Sequence, residues 1–445
     1  MKAAAIAGMC CVLSAAGCSS RADERPQWKV VVSSDADVPL WGDRLLVEVL
    51  TPSGELACEG CRRVFGLAKA DALPLSFGIT DTAAAGPLRL QGRLFRSSLG
   101  QGAGPGASSA AIDVVGVLGQ ASDVSLRLPM QCFGVAPALA TAESCNPETG
   151  SFGAEVSLPH TDGAPPLETG SWEPLVERPC GGSPPDEMVC IAGGAFLLGD
   201  ARGISLSALA PSTVPERPTR VDPLFMDRTE LSVGAYRKLL ASGAIPTGSE
   251  VNTSSVPGCT YLGPTDPAND ALPLTCIDHA QAATLCEAMG KRLPSEAEWE
   301  FAASGRGQER QFPWGDDEDV CAHAVVARAG LGGTSICLVS LGTGVSSGVV
   351  AVGTWHDESR DGVVDLGGNV AEWVLDAAAG YASPCFGSDA SLLNNPVCQA
   401  TPMDTTFSIR GGSYAATPVS ARASSRNAGT SQAEPTVGVR CVRSN

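Results

Sequence analysis

The chain has 445 residues, of which 44% are hydrophobic and 18% charged, and its formal net charge is −18. This composition is typical of globular protein, and the length allows two or three domains that each bury a core. Lys and Arg residues form no cluster along the chain, which argues against nucleic acid or a basic membrane patch as a partner.

The first residues, 1–18, resemble an export signal. A basic residue precedes the apolar residues 3–17, a stretch too short to span a bilayer as a helix. Small residues directly precede Cys18, as in a bacterial lipoprotein cleavage site, although Ala15 stands where Leu is usual. Cys18 is then acylated, residues 19–27 form a tether, and lipid alone holds the protein in the cell envelope (outer membrane or periplasm). The alternative is a cleaved signal and a secreted protein.

Cysteine usage supports export. Of 17 cysteines, three lie within residues 1–18, which leaves 17 − 3 = 14, an even number that predicts up to seven disulfides. Three local sets stand out: Cys58 with Cys61, Cys132 with Cys145, and Cys180 with Cys190. Eight more cysteines lie between Cys259 and Cys441. The first set is either a redox dithiol or a loop staple. No strand–helix–strand pattern surrounds it, which favours the staple.

Residues 28–132 contain five short runs with strand-like alternation, separated by Gly, Pro and Ser. The runs are Trp28–Val32, Arg44–Leu50, Pro87–Phe95, Ala111–Val115 and Asp123–Leu128. They predict an antiparallel β-sandwich that serves as a spacer or docking module. Residues 133–185 are rich in Pro, Gly and Ala and predict an extended linker that holds the next domain away from the membrane.

Three helices are predicted in the C-terminal domain, residues 186–445. The first ends near Gly243. Asp278 and Gln281 form a capping box at the start of the second, and Ser295 with Glu298 does the same for the third.

Five short motifs follow one another in the last third of the chain. They are Gly290-Lys-Arg-Leu-Pro-Ser-Glu-Ala-Glu-Trp-Glu300, Phe312-Pro-Trp-Gly315, Asp365-Leu-Gly-Gly-Asn-Val-Ala-Glu-Trp373, Arg410-Gly-Gly-Ser-Tyr414 and Gly438-Val-Arg-Cys441. In this order they resemble the formylglycine-generating enzyme family, also called the sulfatase-modifying-factor family, from Met188 to the C-terminus. The resemblance implies an α+β chain whose C-terminal domain is related to C-type lectins and poor in regular secondary structure.

The segment Asp365–Glu372 is the best candidate for a metal site. Two carboxylates flank a Gly-Gly turn, and hard oxygen ligands of this kind suit Ca²⁺. The resemblance implies a structural calcium ion held by the side chains of Asp365 and Glu372 and the carbonyls of Gly368 and Val370. In the alternative, the polar side chains only satisfy turn amides. The family's second calcium loop has His323 in place of Asn, and that site is predicted to be lost.

The resemblance also implies copper. Active members bind Cu(I) through two cysteines after the Gly-Gly-Ser motif and oxidise a substrate cysteine to formylglycine. Here the matching positions are Ala416 and a residue near Ala421. Alanine cannot replace a thiolate, the ligand that Cu(I) requires, so the sequence predicts no copper and no catalytic residue.

A groove that holds substrate peptide in active members is expected to persist without the copper. The residues predicted to line it are Trp299, Trp314, Arg410, Ser413, Tyr414, Arg422, Arg426 and Arg440. The favoured hypothesis is therefore a non-catalytic module that binds a peptide, glycan or protein at the cell surface. The alternatives are an oxygen-dependent oxidase of the same family and a structural envelope protein without a specific ligand.

Overall fold

The structure is a computed structural model that describes residues 27–80, 86–97, 111–200, 211–251, 258–329, 336–341, 347–387, 392–401, 403–430 and 432–445. The predicted signal, the lipidation residue Cys18 and the tether up to residue 26 lie outside these residues. Within them, no helix is both long enough and apolar enough to cross a membrane.

Ten strands build the N-terminal half. They are β1 Gln27–Ser33, β2 Arg44–Leu50, β3 Arg62–Gly66, β4 Leu75–Thr80, β5 Arg89–Phe95, β6 Ala111–Val117, β7 Asp123–Arg127, β8 Glu143–Cys145, β9 Phe152–Ala154 and β10 Val156–Ser157. Two sheets, ordered β4-β1-β7 and β10-β6-β5-β2-β3, form a sandwich. Apolar residues from both sheets, such as Val30, Leu90 and Leu126, are completely buried between them.

The sandwich predicted from sequence is confirmed, with two differences. β1 pairs with β7 in parallel and β10 with β6 in parallel, so the sheets are mixed. Alternation of apolar residues reports which face is buried and carries no information about strand direction. The edge strands β3 and β4 were not predicted. β3 is exposed at four of its five positions, so burial leaves little pattern there.

The segment predicted as an extended linker is folded against the sandwich. β8 and β9 form a hairpin next to the Cys132–Cys145 disulfide, and β10 joins the larger sheet. The Trp172 ring packs edge-on against Trp41, with 5.6 Å between centroids. Apolar residues that pack on the sandwich are widely spaced in this segment, so they form no helical or strand-like pattern. The prediction of a linker therefore rested on the composition alone. The sandwich core continues into Leu197 of the C-terminal domain, and this segment does not hold the two apart.

The C-terminal domain combines short helices with three small sheets. Its elements are β11 Met188–Ile191, β12 Gly194–Leu198, β13 Arg217–Val221, β14 Leu224–Asp227, α1 Val233–Ser242, α2 His279–Ala288, α3 Glu296–Ala303, α4 Val320–His323, α5 Ile336–Leu341, β15 Ala371–Ala377, β16 Leu393–Asn394, β17 Thr406–Arg410, β18 Arg426–Thr430, β19 Val437–Gly438 and β20 Val442–Ser444. The sheets are ordered β11-β14-β20, β12-β13-β16 and β18-β17-β15-β19. The α+β class is confirmed.

The helix termini agree with the sequence prediction. α1 is followed by Gly243 in the left-handed conformation (φ 71°). Both predicted capping boxes are present, with Asp278 accepting from the Gln281 amide and Ser295 from the Glu298 amide. Local hydrogen bonding therefore determines where these helices begin.

Seven disulfides cross-link the described residues. They are Cys58–Cys61, Cys132–Cys145, Cys180–Cys190, Cys259–Cys276, Cys286–Cys441, Cys321–Cys337 and Cys385–Cys398. The three local sets seen in the sequence pair as local bridges. Disulfide content of this kind is typical of a protein that leaves the cytosol.

Candidate binding site

Helix α3 places two buried carboxylates one turn apart, at Glu296 and Glu300, next to the ends of β17 and β18. Arg426 donates from Nε to Glu296 Oε1 at 2.7 Å and from Nη2 to Oε2 at 2.6 Å. Arg410 donates to Glu296 at 3.2 Å and to Glu300 at 2.5 Å. All four side chains are buried, so both guanidinium charges are compensated inside the protein.

The two carboxyl groups respond differently to this environment. Burial raises the pKa of Glu296, but Arg426 and Arg410 outweigh burial and lower the pKa below its ordinary value. Burial dominates at Glu300 and raises its pKa despite the nearby Arg410. Glu296 is therefore held as a carboxylate that anchors both β17 and β18 to the helix.

A second buried ion pair joins Glu372 of β15 to Arg440. Arg440 Nη2 donates to Glu372 Oε1 at 2.8 Å, and the Trp299 ring nitrogen donates to Oε2 at 2.7 Å. Arg440 also donates to the backbone carbonyls of Asp227 and Val364. Both oxygens of Glu372 are thus committed to nitrogen donors.

The hydrogen bonds of Glu372 to Arg440 and Trp299 compete with the predicted calcium site. Of its four residues, Glu372 faces a guanidinium, which would repel a cation at the same oxygens. Asp365 Oδ2 accepts from the Gly353 amide at 2.5 Å, so this carboxylate also has a partner. Gly368 packs so closely on the Val325 backbone that an added Cβ would lie 2.7 Å from its carbonyl oxygen. Val370 is completely buried. In this arrangement Glu372 does not fit as a calcium ligand, and across the described residues no group of three acidic, His or Cys side chains is placed to hold a metal.

A cavity of about 400 Å³ lies over one face of the sheet β18-β17-β15-β19. Its lining includes Ala371, Ile409, Arg410, Gly411, Gly412, Ser413, Ala415, Ala416, Thr417, Ser420, Ser425, Arg426, Asn427, Ala428, Glu434, Thr436 and Val437. Gly411 and Gly412 have φ values of 92° and 76°, which favour glycine at the turn into the cavity wall. The amide of Ala327 donates to the Ala416 carbonyl at 2.8 Å and fixes that wall.

The structure brings three of the eight predicted groove residues to this cavity: Arg410, Ser413 and Arg426. Trp299 and Arg440 are not among the lining residues, and both side chains donate to Glu372 instead.

The remaining three predicted groove residues also lie elsewhere. Trp314 stacks between Phe312 and His323, with centroid distances of 4.8 and 5.2 Å. Tyr414 is half-buried, and its amide donates to the Asn369 carbonyl. Arg422, which is half-buried, is not among the lining residues.

Several lining residues were not predicted. Thr417, Ser420, Ser425, Thr436 and Glu434 carry polar groups to the cavity. They fall outside the short motifs, and only the pairing of β17 with β18 and of β15 with β19 brings their segments together. Ser425 and Thr436 directly precede β18 and β19, and that position was the one signal available for them in the sequence.

No cysteine is among the lining residues, and the positions matched to the copper ligands carry other groups. Ala416 lines the cavity, and Ala421 is completely buried. Every cysteine from Cys58 to Cys441 is in a disulfide. The described cavity therefore offers no thiolate to a soft metal ion.

Comparison with known proteins places this site in a family. The domain described as "Sulfatase-modifying factor enzyme 1-like domain" matches residues 175–445. The Bos taurus formylglycine-generating enzyme is 29% identical over 167 residues, which cover 30% of this chain and 44% of that enzyme. The Streptomyces coelicolor formylglycine-generating enzyme is 26% identical over 161 residues, covering 29% of this chain and 51% of that enzyme. The matched part thus spans about half or less of these relatives.

Among solved structures, PvdO from Pseudomonas aeruginosa is 24% identical with a TM-score of 0.44, covering 61% of this chain and 99% of PvdO. CarF is 18% identical with a TM-score of 0.39, covering 59% of this chain and 99% of CarF. Because the family match extends over more than half of the chain, this protein belongs to the sulfatase-modifying-factor (formylglycine-generating-enzyme-like) family.

Proposed function

We propose that the C-terminal domain is a non-catalytic binding module, and that its cavity receives a peptide segment carrying a basic side chain. The observation that carries the proposal is the cavity itself, which has the volume of a ligand site but no thiol among its described lining residues. A copper oxidase needs two thiolates at this place; of the two positions matched to them, Ala416 lines the cavity and Ala421 is completely buried.

The charges at the cavity favour a basic ligand. Arg410 and Arg426 line it, but their guanidinium groups are neutralised by Glu296 and Glu300. Glu434 is exposed, and within the described part of the chain its side chain has no hydrogen bond or ion pair. A carboxylate next to serine and threonine hydroxyls provides acceptors for an ammonium or guanidinium group.

The first test compares two peptides of equal length, one Lys/Arg-rich and one Asp/Glu-rich, by titration calorimetry on the full chain. Tighter binding of the basic peptide is expected. Glu434→Gln should weaken that binding about two- to fivefold, because it removes one exposed ion pair. Glu287→Gln makes the same chemical change at an exposed carboxylate on α2 that is not among the lining residues, and should leave binding unchanged.

Steric occlusion provides an independent test. Ala416→Trp places an indole in the cavity and should abolish peptide binding, whereas Ala280→Trp on the exposed side of α2 should not. Equal binding by both Trp variants, or binding of a glycan in place of either peptide, would overturn the proposed ligand. Conversion of a cysteine to formylglycine in a substrate peptide, with Cu(I) and O₂ supplied, would establish the oxidase instead.

We also place the module at the cell envelope, anchored through an acylated Cys18. The sequence Leu13-Ser-Ala-Ala-Gly-Cys18 and the disulfide content support this location. A basic peptide or protein at the cell surface is then the partner.

A further inference from the structure

A second cavity, of about 190 Å³, lies at one edge of the β-sandwich. β3 is the edge strand of the larger sheet and β4 that of the smaller sheet, and the two strands are not hydrogen-bonded to each other. The apolar lining comes from both sheets and includes Val47, Val49, Phe65, Phe77 and Ile79. Phe65 and Phe77 stack with 5.6 Å between centroids, and both are only partly buried. Apolar side chains from opposite sheets are therefore accessible at this edge.

The Cys58–Cys61 disulfide lines the same cavity. Only two residues separate its cysteines, and the Cys61 amide donates to the Cys58 carbonyl, which makes a tight turn. Cys58 is exposed and Cys61 half-buried. By contrast, both cysteines of the Cys132–Cys145 and Cys286–Cys441 bridges are buried. A thiolate attacks a disulfide sulfur that it can reach, so Cys58 is an accessible target for such an attack.

The charges at this turn also favour exchange. Arg63 lines the cavity, and its side chain has no ion pair or hydrogen bond to any described residue. The neighbouring Arg62 is instead paired with Glu48 at 2.5 Å. A nearby cation stabilises a cysteine thiolate and improves it as a leaving group. Glu59, exposed between the two cysteines, carries the one opposing charge within the turn itself.

We propose that Cys58 and Cys61 form a thiol–disulfide exchange site for polypeptides with apolar residues next to a cysteine pair. A partner thiolate attacks Cys58 Sγ, the Cys58–Cys61 bond breaks, and its electron pair goes to Cys61 Sγ, which takes a proton from water. The second partner thiolate attacks the partner sulfur of the mixed disulfide and releases Cys58 as a thiolate. The partner dithiol has then lost two electrons to form a disulfide, and Cys58 and Cys61 have gained them.

Graded reduction of the native full chain tests accessibility. Free thiols are alkylated after each step and located by peptide mass spectrometry, so cysteines outside the seven bridges are counted separately. Cys58 and Cys61 should be labelled at least about tenfold faster than the cysteines of the Cys132–Cys145 and Cys286–Cys441 bridges, which are buried. Labelling at the same rate as the others, or more slowly, would overturn the proposal.

Trapping with Cys61→Ser tests exchange and recognition, because Cys58 is then left as a free thiol. It should form a mixed disulfide faster with an oxidised peptide dimer bearing Leu and Phe beside its cysteine than with oxidised glutathione. Phe77→Ser should remove the preference for the apolar peptide but leave the glutathione rate unchanged. Phe152→Ser, at a half-exposed ring on β9 that does not line the cavity, is the matched control. An unchanged preference in Phe77→Ser would rule out the cavity as the peptide site.

Charge variants test the environment of the thiolate through the pH dependence of alkylation of Cys58 in the Cys61→Ser protein. Arg63→Gln should move the midpoint of alkylation to higher pH and Glu59→Gln to lower pH. Arg62→Gln should have little effect, since Glu48 already compensates that charge. If all three variants had the same midpoint, Arg63 would have no role, and a structural staple would be the correct reading of the turn.

Discussion

Arg426 of β18 and Glu296 of α3 form a bidentate ion pair in which neither side chain is exposed to solvent. The two residues are 130 positions apart in the chain. Their pairing leaves the cavity wall without a net positive charge, although two arginines line it. Among the described residues, Glu434 is then the unpaired charge on the cavity wall, and it favours a basic ligand over an acidic one.

Removing the shared carboxylate should destabilise the C-terminal domain. Glu296→Gln leaves Arg426 and Arg410 buried with too little negative charge, and the expected loss is about 3–5 kcal/mol in the free energy of unfolding. Urea denaturation followed by tryptophan fluorescence measures it, since Trp299 and Trp373 are completely buried in this domain. Glu287→Gln at an exposed site should change the free energy by less than about 0.5 kcal/mol. Equal stability of the two variants would show that the buried pair makes no net contribution.

The buried carboxyl group of Asp376 should give the free energy of unfolding an unusual pH dependence. Burial, followed by the charge of Glu296, raises the pKa of Asp376 to about 7. A carboxyl group whose pKa is raised in the folded state binds its proton more tightly there than in the unfolded chain. Its contribution to stability is complete below the ordinary pKa near 3.8 and is lost as the pH rises to about 7.

The measurement is the free energy of unfolding between pH 5 and 7, which should fall with a slope approaching about 1.4 kcal/mol per pH unit from this group. Asp376→Asn should remove this part of the slope. The variant should also lose about 1–3 kcal/mol of stability, because the two carboxylate oxygens accept from the amides of Glu296 and Cys398. A slope that is the same in both proteins would contradict the assignment to Asp376.

Calcium is expected not to stabilise the protein through Glu372. The guanidinium of Arg440 already neutralises this carboxylate, so a calcium titration should leave the melting temperature unchanged. Differential scanning calorimetry with and without a chelator tests this. A saturable rise in melting temperature that disappears in Asp365→Ala would instead establish the site predicted from the family resemblance.

The proposed lipid anchor at Cys18 is tested by cell fractionation. Replacing Cys18 by Ser should move the protein from the membrane fraction to the soluble periplasmic or secreted fraction, because a cysteine thiol is the acylated group. Metabolic labelling with a radioactive fatty acid should give signal for the parent and none for the variant. The Cys11→Ser control should be labelled and fractionate like the parent. Fatty-acid label in Cys18→Ser would show that another residue is acylated.

Prediction from sequence succeeded where the determining interactions are local. The capping boxes at Asp278 and Ser295 involve hydrogen bonds across three residues, and both are present. The bridge within the turn at Cys58–Cys61 is equally local. The segment 133–185 was misjudged, because its anchor Trp172 packs against Trp41, far away in the chain.

The sequence alone determined the family, the α+β class and the helix termini, because each depends on residue identity or on neighbours within a few positions. Only the tertiary structure decided which charges face the cavity. The carboxylate partners of Arg410, Arg426 and Arg440 lie 68 to 130 residues away, and a guanidinium group lines a binding site or neutralises a buried carboxylate according to that long-range packing.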